Sequence, residues 1–177
     1  MVEIIFEAHS TTFDNEKHRA SGWNDVDLSP LGRLQAEDLG RRYRDQSFDA
    51  IFTSDLKRAY STAEIAFAGR LFPLVRDSRL RECDYGDLTQ SPASEVDPIK
   101  AEHIDRPFPN GESYIQAFYR VNAFLDELSA NHRGKKIMII GHRATQYGLE
   151  CRIKGVPLKE AVVMPWAWQP GWIYLMP

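Results

Sequence analysis

Short apolar runs alternate along the chain with longer stretches in which apolar positions recur three or four residues apart. The opening run, Val2-Glu3-Ile4-Ile5-Phe6-Glu7, is brief and rich in β-branched residues, as a buried strand is, and it ends in the polar group His9-Ser10-Thr11-Thr12. A histidine therefore stands at a strand's carboxyl end. A long polar loop extends to Ser29-Pro30, a serine cap followed by proline at the first helical position. Beyond it Leu31, Leu34, Leu39 and Tyr43 predict a helix with one apolar stripe. The pattern then repeats. Asp49-Ala50-Ile51-Phe52-Thr53-Ser54 reads as a second strand, Ser54 as the cap of a helix reaching Phe67, and Phe72-Pro73-Leu74-Val75 as a weaker third strand.

Residues 78–110 read as mostly irregular, punctuated by Pro92, Pro98, Pro107 and Pro109, and this is the natural place for a substrate-covering loop. A long helix follows from Glu112 to Asn131, with Tyr114, Phe118, Val121, Leu125 and Leu128 on one stripe. Gly134 ends it before the strand Lys136-Ile137-Met138-Ile139-Ile140, which delivers a second histidine, His142. A last strand, Gly171 to Leu175, suits an edge. Strands alternating with helices predict a mostly parallel sheet covered on both faces, a three-layer α/β/α sandwich whose ligands bind at the carboxyl ends of the strands. Both His9 and His142 fall at that edge.

Composition narrows this picture. The 177 residues suit one domain spanning 1–177, and 43% hydrophobic with 27% charged residues exclude disordered and collagen-like classes. A net charge of -3 provides no electrostatic footprint for nucleic acid or an anionic membrane, so neither is expected as a partner. No apolar run approaches the ~20 residues of a membrane span and no signal-like segment opens the chain, so a cytoplasmic protein is expected. Cys83 and Cys151 form no CxxC pair, and neither HExxH nor an EF-hand loop occurs, so no metal or other cofactor is expected.

A single strand-end histidine is most often an ordinary hydrogen-bonded residue. Two imidazoles converging on one crevice can instead divide nucleophilic and supporting roles, with an arginine to neutralise a phosphoryl group. Arg58, in Ser54-Asp55-Leu56-Lys57-Arg58-Ala59, is placed for this in the first turn of a helix, the positive end of its dipole.

Several separated segments carry a resemblance. Ala8-His9-Ser10-Thr11-Thr12 with Asn15, Arg19, Gly22-Trp23, Leu28-Ser29-Pro30-Leu31-Gly32 and Thr53-Ser54-Asp55-Leu56-Lys57-Arg58-Ala59 with Thr62-Ala63 all match one pattern. So do Leu80-Arg81-Glu82-Cys83-Asp84-Tyr85-Gly86, Gly111-Glu112-Ser113 and Ile139-Ile140-Gly141-His142. Across nearly its whole length the chain resembles the histidine phosphatase superfamily, in its phosphoglycerate mutase-like branch. The resemblance implies the phosphoglycerate mutase-like sandwich, a phosphohistidine formed on His9, phosphoryl oxygens held by Arg58 and His142 with Asn15 and Arg19 nearby, and Glu82 as proton donor to the departing alkoxide. Such a donor is favoured by partial burial.

The match departs from the family at four places. The family's arginine before the nucleophile is Ala8, the glycine after it is Ser10, the glycine after the second histidine is Arg143, and the last glycine of the Glu82 segment is Gln90. Loss of one preorganised charge donor from such a clamp costs on the order of 10²–10³ in rate. Two readings of Arg143 stand open, a phosphate-binding cation that compensates for Ala8 or a solvent-facing side chain; Lys17 and His18 are weaker candidates. The expected function is hydrolysis of a small phosphate monoester, with Ser10 among the phosphate-binding residues. A catalytically weak or silent phospho-ligand-binding module is the alternative that Ala8 argues for. A phosphomutase is disfavoured by the short stretch from Gly86 to Asn110, too small to shield phosphohistidine from water. Trp166, Trp168 and Trp172 line a substrate pocket or, as the favoured reading, pack in the core or a dimer contact; a homodimer stays open.

Overall fold

Alternation along the first strand decides what covers each side of the sheet. In β1 (Val2–Ala8) the side chains of Val2, Ile4 and Phe6 enter one core, while Ile5 enters another on the opposite face. The computed structural model describes all residues from Met1 to Pro177 and adds β2 (Ala50–Thr53), β3 (Leu74–Arg76), β4 (Lys136–Gly141) and β5 (Trp172–Met176). Their order in the sheet is β3-β2-β4-β1-β5. Four strands are parallel, and β5 runs antiparallel along β1 at one edge.

The helices are α1 (Phe13–Glu16), α2 (Pro30–Arg42), α3 (Lys57–Ala66), α4 (Ala93–Val96), α5 (Tyr114–Asn131), α6 (Arg143–Lys154) and α7 (Leu158–Val163). Val121, Leu125 and Leu128 of α5 and Leu149 of α6 close the first core over Ile4, Phe6, Ile137 and Ile139. Leu39 of α2 with Ala63 and Phe67, in and just after α3, close the second over Ile5, Ile51, Met138 and Ile140. The three-layer α/β/α arrangement is thus present, and none of its helices is long and apolar enough to cross a membrane.

Several elements differ from the sequence expectation. The expected stripe on α2 faces the core only in its second half: Leu39 and Tyr43 are buried, whereas Leu31 and Leu34 are 50% and 57% exposed and Gly32 and Ala36 take the inner face. Glycine causes this. A Cβ at Gly32 would lie 1.9 Å from the Thr11 carbonyl oxygen and one at Gly40 2.2 Å from that of Ala66, so the helix packs at these points by its bare backbone, and Leu31 and Leu34 turn outward. Ser54 does not cap α3; its hydroxyl accepts the Leu56 amide at 3.1 Å, and the helix begins at Lys57. The third strand is displaced to Leu74–Arg76, an exposed edge.

The segment 78–110 is not irregular. It is built from 3₁₀ turns at Ser78–Leu80, Gly86–Leu88 and Asp97–His103 together with α4. It also has a core of its own, in which Cys83, Tyr85, Val96 and Phe108 pack with Tyr114, Tyr147 and Val162. Phe118, expected on the buried stripe of α5, is only half-buried. The α5 start is the capping box of Ser113 and Gln116, two residues later than the expected Glu112.

Candidate active site

Strand register brings the two histidines together. Ala8 pairs with Gly141 at the ends of β1 and β4, so the next residues, His9 and His142, emerge side by side at the carboxyl edge of the sheet. Their ring centroids are 5.1 Å apart with planes tilted by 55°. His9 Nδ1 lies 2.8 Å from the Ser10 carbonyl oxygen. A carbonyl only accepts, so Nδ1 carries the proton and the Nε2 lone pair is left bare. Burial, then the positive charge of Arg58, lowers the His9 pKa from 6.5 to about 3. His142 is depressed well below the ordinary range by burial first, then by Arg58 and His9. Both rings are neutral near pH 7. His142 is fully enclosed, and neither of its ring nitrogens has a hydrogen-bond partner in the protein.

Arg58 enters from the first turn of α3 and is 1% exposed. Nη1 donates to the Asn24 carbonyl at 2.9 Å and Nη2 to the Gly22 carbonyl at 2.8 Å, while the buried Nε has no partner. Thr62, one turn on, links this arginine to the loop after His9: its hydroxyl accepts the Ser10 amide at 3.0 Å and donates to the Arg58 carbonyl at 2.7 Å. In the sequence Thr62 is one position of a matching segment, and nothing beside it marks this link.

Glu82 faces the same space from the opposite side. Oε1 accepts the amides of Cys83 at 2.8 Å and Ala144 at 3.1 Å, and Oε2 accepts that of Arg143 at 3.1 Å. The carboxyl group thus sits against the first turn of α6. Behind it Arg120 of α5 spends its whole guanidinium. Nη1 donates to the carbonyls of Arg79 at 2.8 Å and Arg81 at 2.7 Å, Nη2 to the Glu82 carbonyl at 2.7 Å, and the remaining bonds go to Glu112. Arg120 is not legible as a site residue, because the carbonyls it holds, those of Arg79, Arg81 and Glu82, are 41, 39 and 38 positions upstream.

The other candidates divide. Asn15 and Arg19 line the cavity from the first loop; Asn15 Oδ1 accepts the Thr12 amide and hydroxyl at 3.0 and 2.9 Å, and the exposed Arg19 guanidinium has no side-chain partner. Ser10 is buried beside His9. Lys17 and His18 are exposed and stand outside the cavity lining. Arg143 is half-buried at the cavity wall, its Nη1 donating to Gln146 Oε1 at 2.7 Å and Nη2 to the Met164 carbonyl at 3.2 Å. Gln90 explains the family glycine it replaces, for its φ is +66°, and Nε2 ties it to Asp14 at 3.3 Å.

Ala8 presents a methyl group toward the Phe6 side of the sheet. Its neighbour Glu7, on the other face, is a buried carboxylate that accepts from Tyr43 at 2.7 Å and Arg42 at 3.0 Å; burial pushes its pKa up. Trp172 packs on Phe6 at 5.7 Å, but Trp166 and Trp168 are exposed on the cavity rim, so packing holds for one tryptophan of the three. His9, His142, Arg58 and Glu82 together line a cavity of about 710 Å³. No three His, Cys, Asp or Glu side chains converge as a metal-holding group.

Comparison with known proteins agrees with this geometry. Residues 4–169 match the profile of the histidine phosphatase superfamily, branch 1. Phosphoserine phosphatase 1 of Hydrogenobacter thermophilus is 31% identical over 169 residues, which cover 90% of this chain and 80% of that protein. The uncharacterized phosphatase PhoE of Bacillus subtilis is 31% identical, with 88% and 79% covered. The solved structure of Bacillus stearothermophilus YhfR superimposes with a TM-score of 0.85 at 30% identity and covers 98% of this chain and 90% of that one. A profile match over most of the chain, on a sheet that sets two neutral histidines beside a buried arginine, places this protein in the histidine phosphatase superfamily.

Proposed function

We propose that the chain hydrolyses a small phosphate monoester through a phosphohistidine on His9, without a cofactor. The observation that carries this reading is the fixed tautomer of His9, with Nε2 unprotonated and directed into a cavity whose other buried donors, His142 and the Nε of Arg58, have no partner in the protein. Unsatisfied buried donors cost on the order of 1–3 kcal/mol each, and a phosphoryl group would satisfy them.

In the first step the His9 Nε2 lone pair attacks phosphorus in line, the N–P bond forms and the ester P–O bond breaks. Glu82, entering protonated, passes its proton to the leaving oxygen. In the second step the Glu82 carboxylate takes a proton from water, the resulting oxygen attacks phosphorus, and the P–N bond breaks to release phosphate. Arg58 and His142 hold the phosphoryl oxygens through both steps, with the Ser10 hydroxyl beside His9 and Arg19 and the Asn15 amide at the open side. Relatives named as phosphatases support hydrolysis as the reaction class. A silent binding module of the same fold is the reading that Ala8 favours.

The two are separated by trapping. Incubation with a labelled aryl phosphate, followed by an alkaline quench that preserves phosphohistidine, is expected to leave label on the wild-type chain and none on His9→Ala. Turnover undiminished in His9→Ala would overturn the proposal, and absence of both label and turnover in the wild type would favour the silent module.

A further inference from the structure

The strand that leads to His9 also carries a buried carboxyl for which the phosphoryl chemistry has no use. The His9 amide still bonds to the Gly141 carbonyl at 3.1 Å, so the alternation of β1 runs on through it. Glu7 and His9 therefore share a face, two residues or about 6.8 Å apart. Glu7 lines the cavity together with Gln35 and Arg42 of α2 and with Trp168. We propose that these four side chains form a binding site for a neutral polyhydroxyl group, such as a sugar or a cyclitol, on the β1 and α2 bank of the cavity. None of the four has a part in the hydrolysis proposed above, so the site stands or falls apart from it.

Charge balance selects a neutral ligand. Arg42 Nη2 donates to Glu7 Oε1 at 3.0 Å, and the Tyr43 hydroxyl donates to the same oxygen at 2.7 Å. These bonds and the Gly171 backbone favour the charged carboxylate against its burial. Carboxylate and guanidinium then cancel. Asp38, also in the lining, is paired in the same way with Arg41. This bank therefore has no net charge to attract an ion, unlike the phosphoryl pocket, where Arg58 is enclosed and bonded only to carbonyls.

What the bank does have is unspent hydrogen-bonding capacity. No side chain donates to Glu7 Oε2, and Nε and Nη1 of Arg42 donate to nothing in the protein. Gln35 Oε1 accepts the Thr11 amide at 2.9 Å, which leaves its Nε2 to donate. An acceptor thus stands among donors. Neighbouring hydroxyls, each able to give and to take, match this set, whereas an ether or a ketone only accepts. The Trp168 ring, 56% exposed, has its centroid 5.6 Å from the Arg42 guanidinium carbon. The C–H face of a sugar ring packs on such an indole while its hydroxyls reach the ion pair. At about 710 Å³ the cavity is of the size that takes a whole small molecule, well beyond a phosphoryl group.

Titration of the ¹⁵N-labelled chain, with Kd read from amide and indole shifts, tests this without turnover. The neutral probes are methyl β-D-glucopyranoside, methyl β-D-ribofuranoside and myo-inositol, and tetrahydropyran is the ring without hydroxyls. At least one polyol is expected to bind saturably, moving the Trp168 indole signal, and about tenfold or more tightly than tetrahydropyran. Trp168→Ala, at an exposed position where folding is not at stake, should weaken that polyol about fivefold or more. Glu7→Gln leaves Arg42 uncompensated, so methyl β-D-glucuronide, the anionic counterpart, should then bind about fivefold more tightly than the glucoside. A merely structural Glu7 would weaken both alike, and that result overturns the proposal. So does saturable binding of none of the three polyols, equal affinity for tetrahydropyran, or tighter binding of a flat heterocycle, adenine, than of any polyol. Glucose 6-phosphate titrated into His9→Ala identifies the source of the sugar. Binding about tenfold tighter than the glucoside with the same indole shift means a sugar joined to the phosphoryl group, and equal binding means a free one. Turnover of phenyl phosphate by the wild type reports on the phosphatase reading alone, so each idea can fail by itself.

Discussion

The floor of the cavity and its rim are built on opposite plans. On the floor, three of the four groups are themselves held, His9 by the Ser10 carbonyl, Arg58 by two loop carbonyls and Glu82 by three amides, and the fourth, the His142 ring, is enclosed without a hydrogen-bond partner. On the rim, Arg19, Trp166 and Trp168 are exposed, on loops and short turns. The difference teaches a division of labour. Groups whose positions must hold to a few tenths of an ångström are fixed by main-chain bonds at strand ends, and groups that meet the variable part of a substrate are left adjustable.

That contrast can be broken by experiment. The largest effect is expected from Arg58→Ala, which removes the enclosed guanidinium and should lower kcat/KM for phenyl phosphate on the order of 10²–10³. A steady-state loss below tenfold would mean that rim cations such as Arg19 do the floor's work. A smaller effect concerns acid stability. The folded-state value of His9, about 3, lies below its ordinary 6.5. Between those values the unfolded chain binds more protons, so stability is complete above about pH 6.5 and declines as pH falls toward 3. His142 acts in the same direction. His9→Asn should therefore lose less of its urea midpoint than the wild type between pH 7 and pH 4.5, and parallel loss in both would show that His9 is not buried neutral. The smallest effect is expected at the rim, where Trp168→Ala should change kcat for phenyl phosphate by less than about threefold, since an exposed ring touches the leaving group at most. A tenfold fall in a kcat assay would erase the distinction between floor and rim.

Much of the floor was legible because it follows from local rules. Strand ends, the Ser29-Pro30 start, the Gly134 stop and the edge character of β5 are written in residues that are neighbours in sequence. What was not legible depends on tertiary contact. The rotation of α2 comes from Gly32 meeting Thr11 and Gly40 meeting Ala66, which no helical periodicity reveals. The covering segment looked irregular because prolines break every period, although its turns close on a core shared with α5, α6 and α7. Helix α6 went unread because it starts at Arg143 with a histidine before it, whose amide is received by the Thr145 hydroxyl at 3.1 Å, an unfamiliar opening signature. Thr62 and Arg120 act on groups far away in sequence, and nothing in their own surroundings announces it.

The Arg120 bracket bears on time rather than on shape. Its five hydrogen bonds join α5 to three carbonyls within residues 79–82 and to Glu112. Such a joint does not loosen one bond at a time, because a planar guanidinium that tilts away from one carbonyl misaligns the others. Local opening of residues 79–82 therefore has to break these bonds together, and slowed hydrogen exchange of the Leu80 and Arg81 amides, which donate to the Asp77 and Ser78 carbonyls, is the expected sign of it. The rim is left open to solvent while the Glu82 carboxyl keeps a single address.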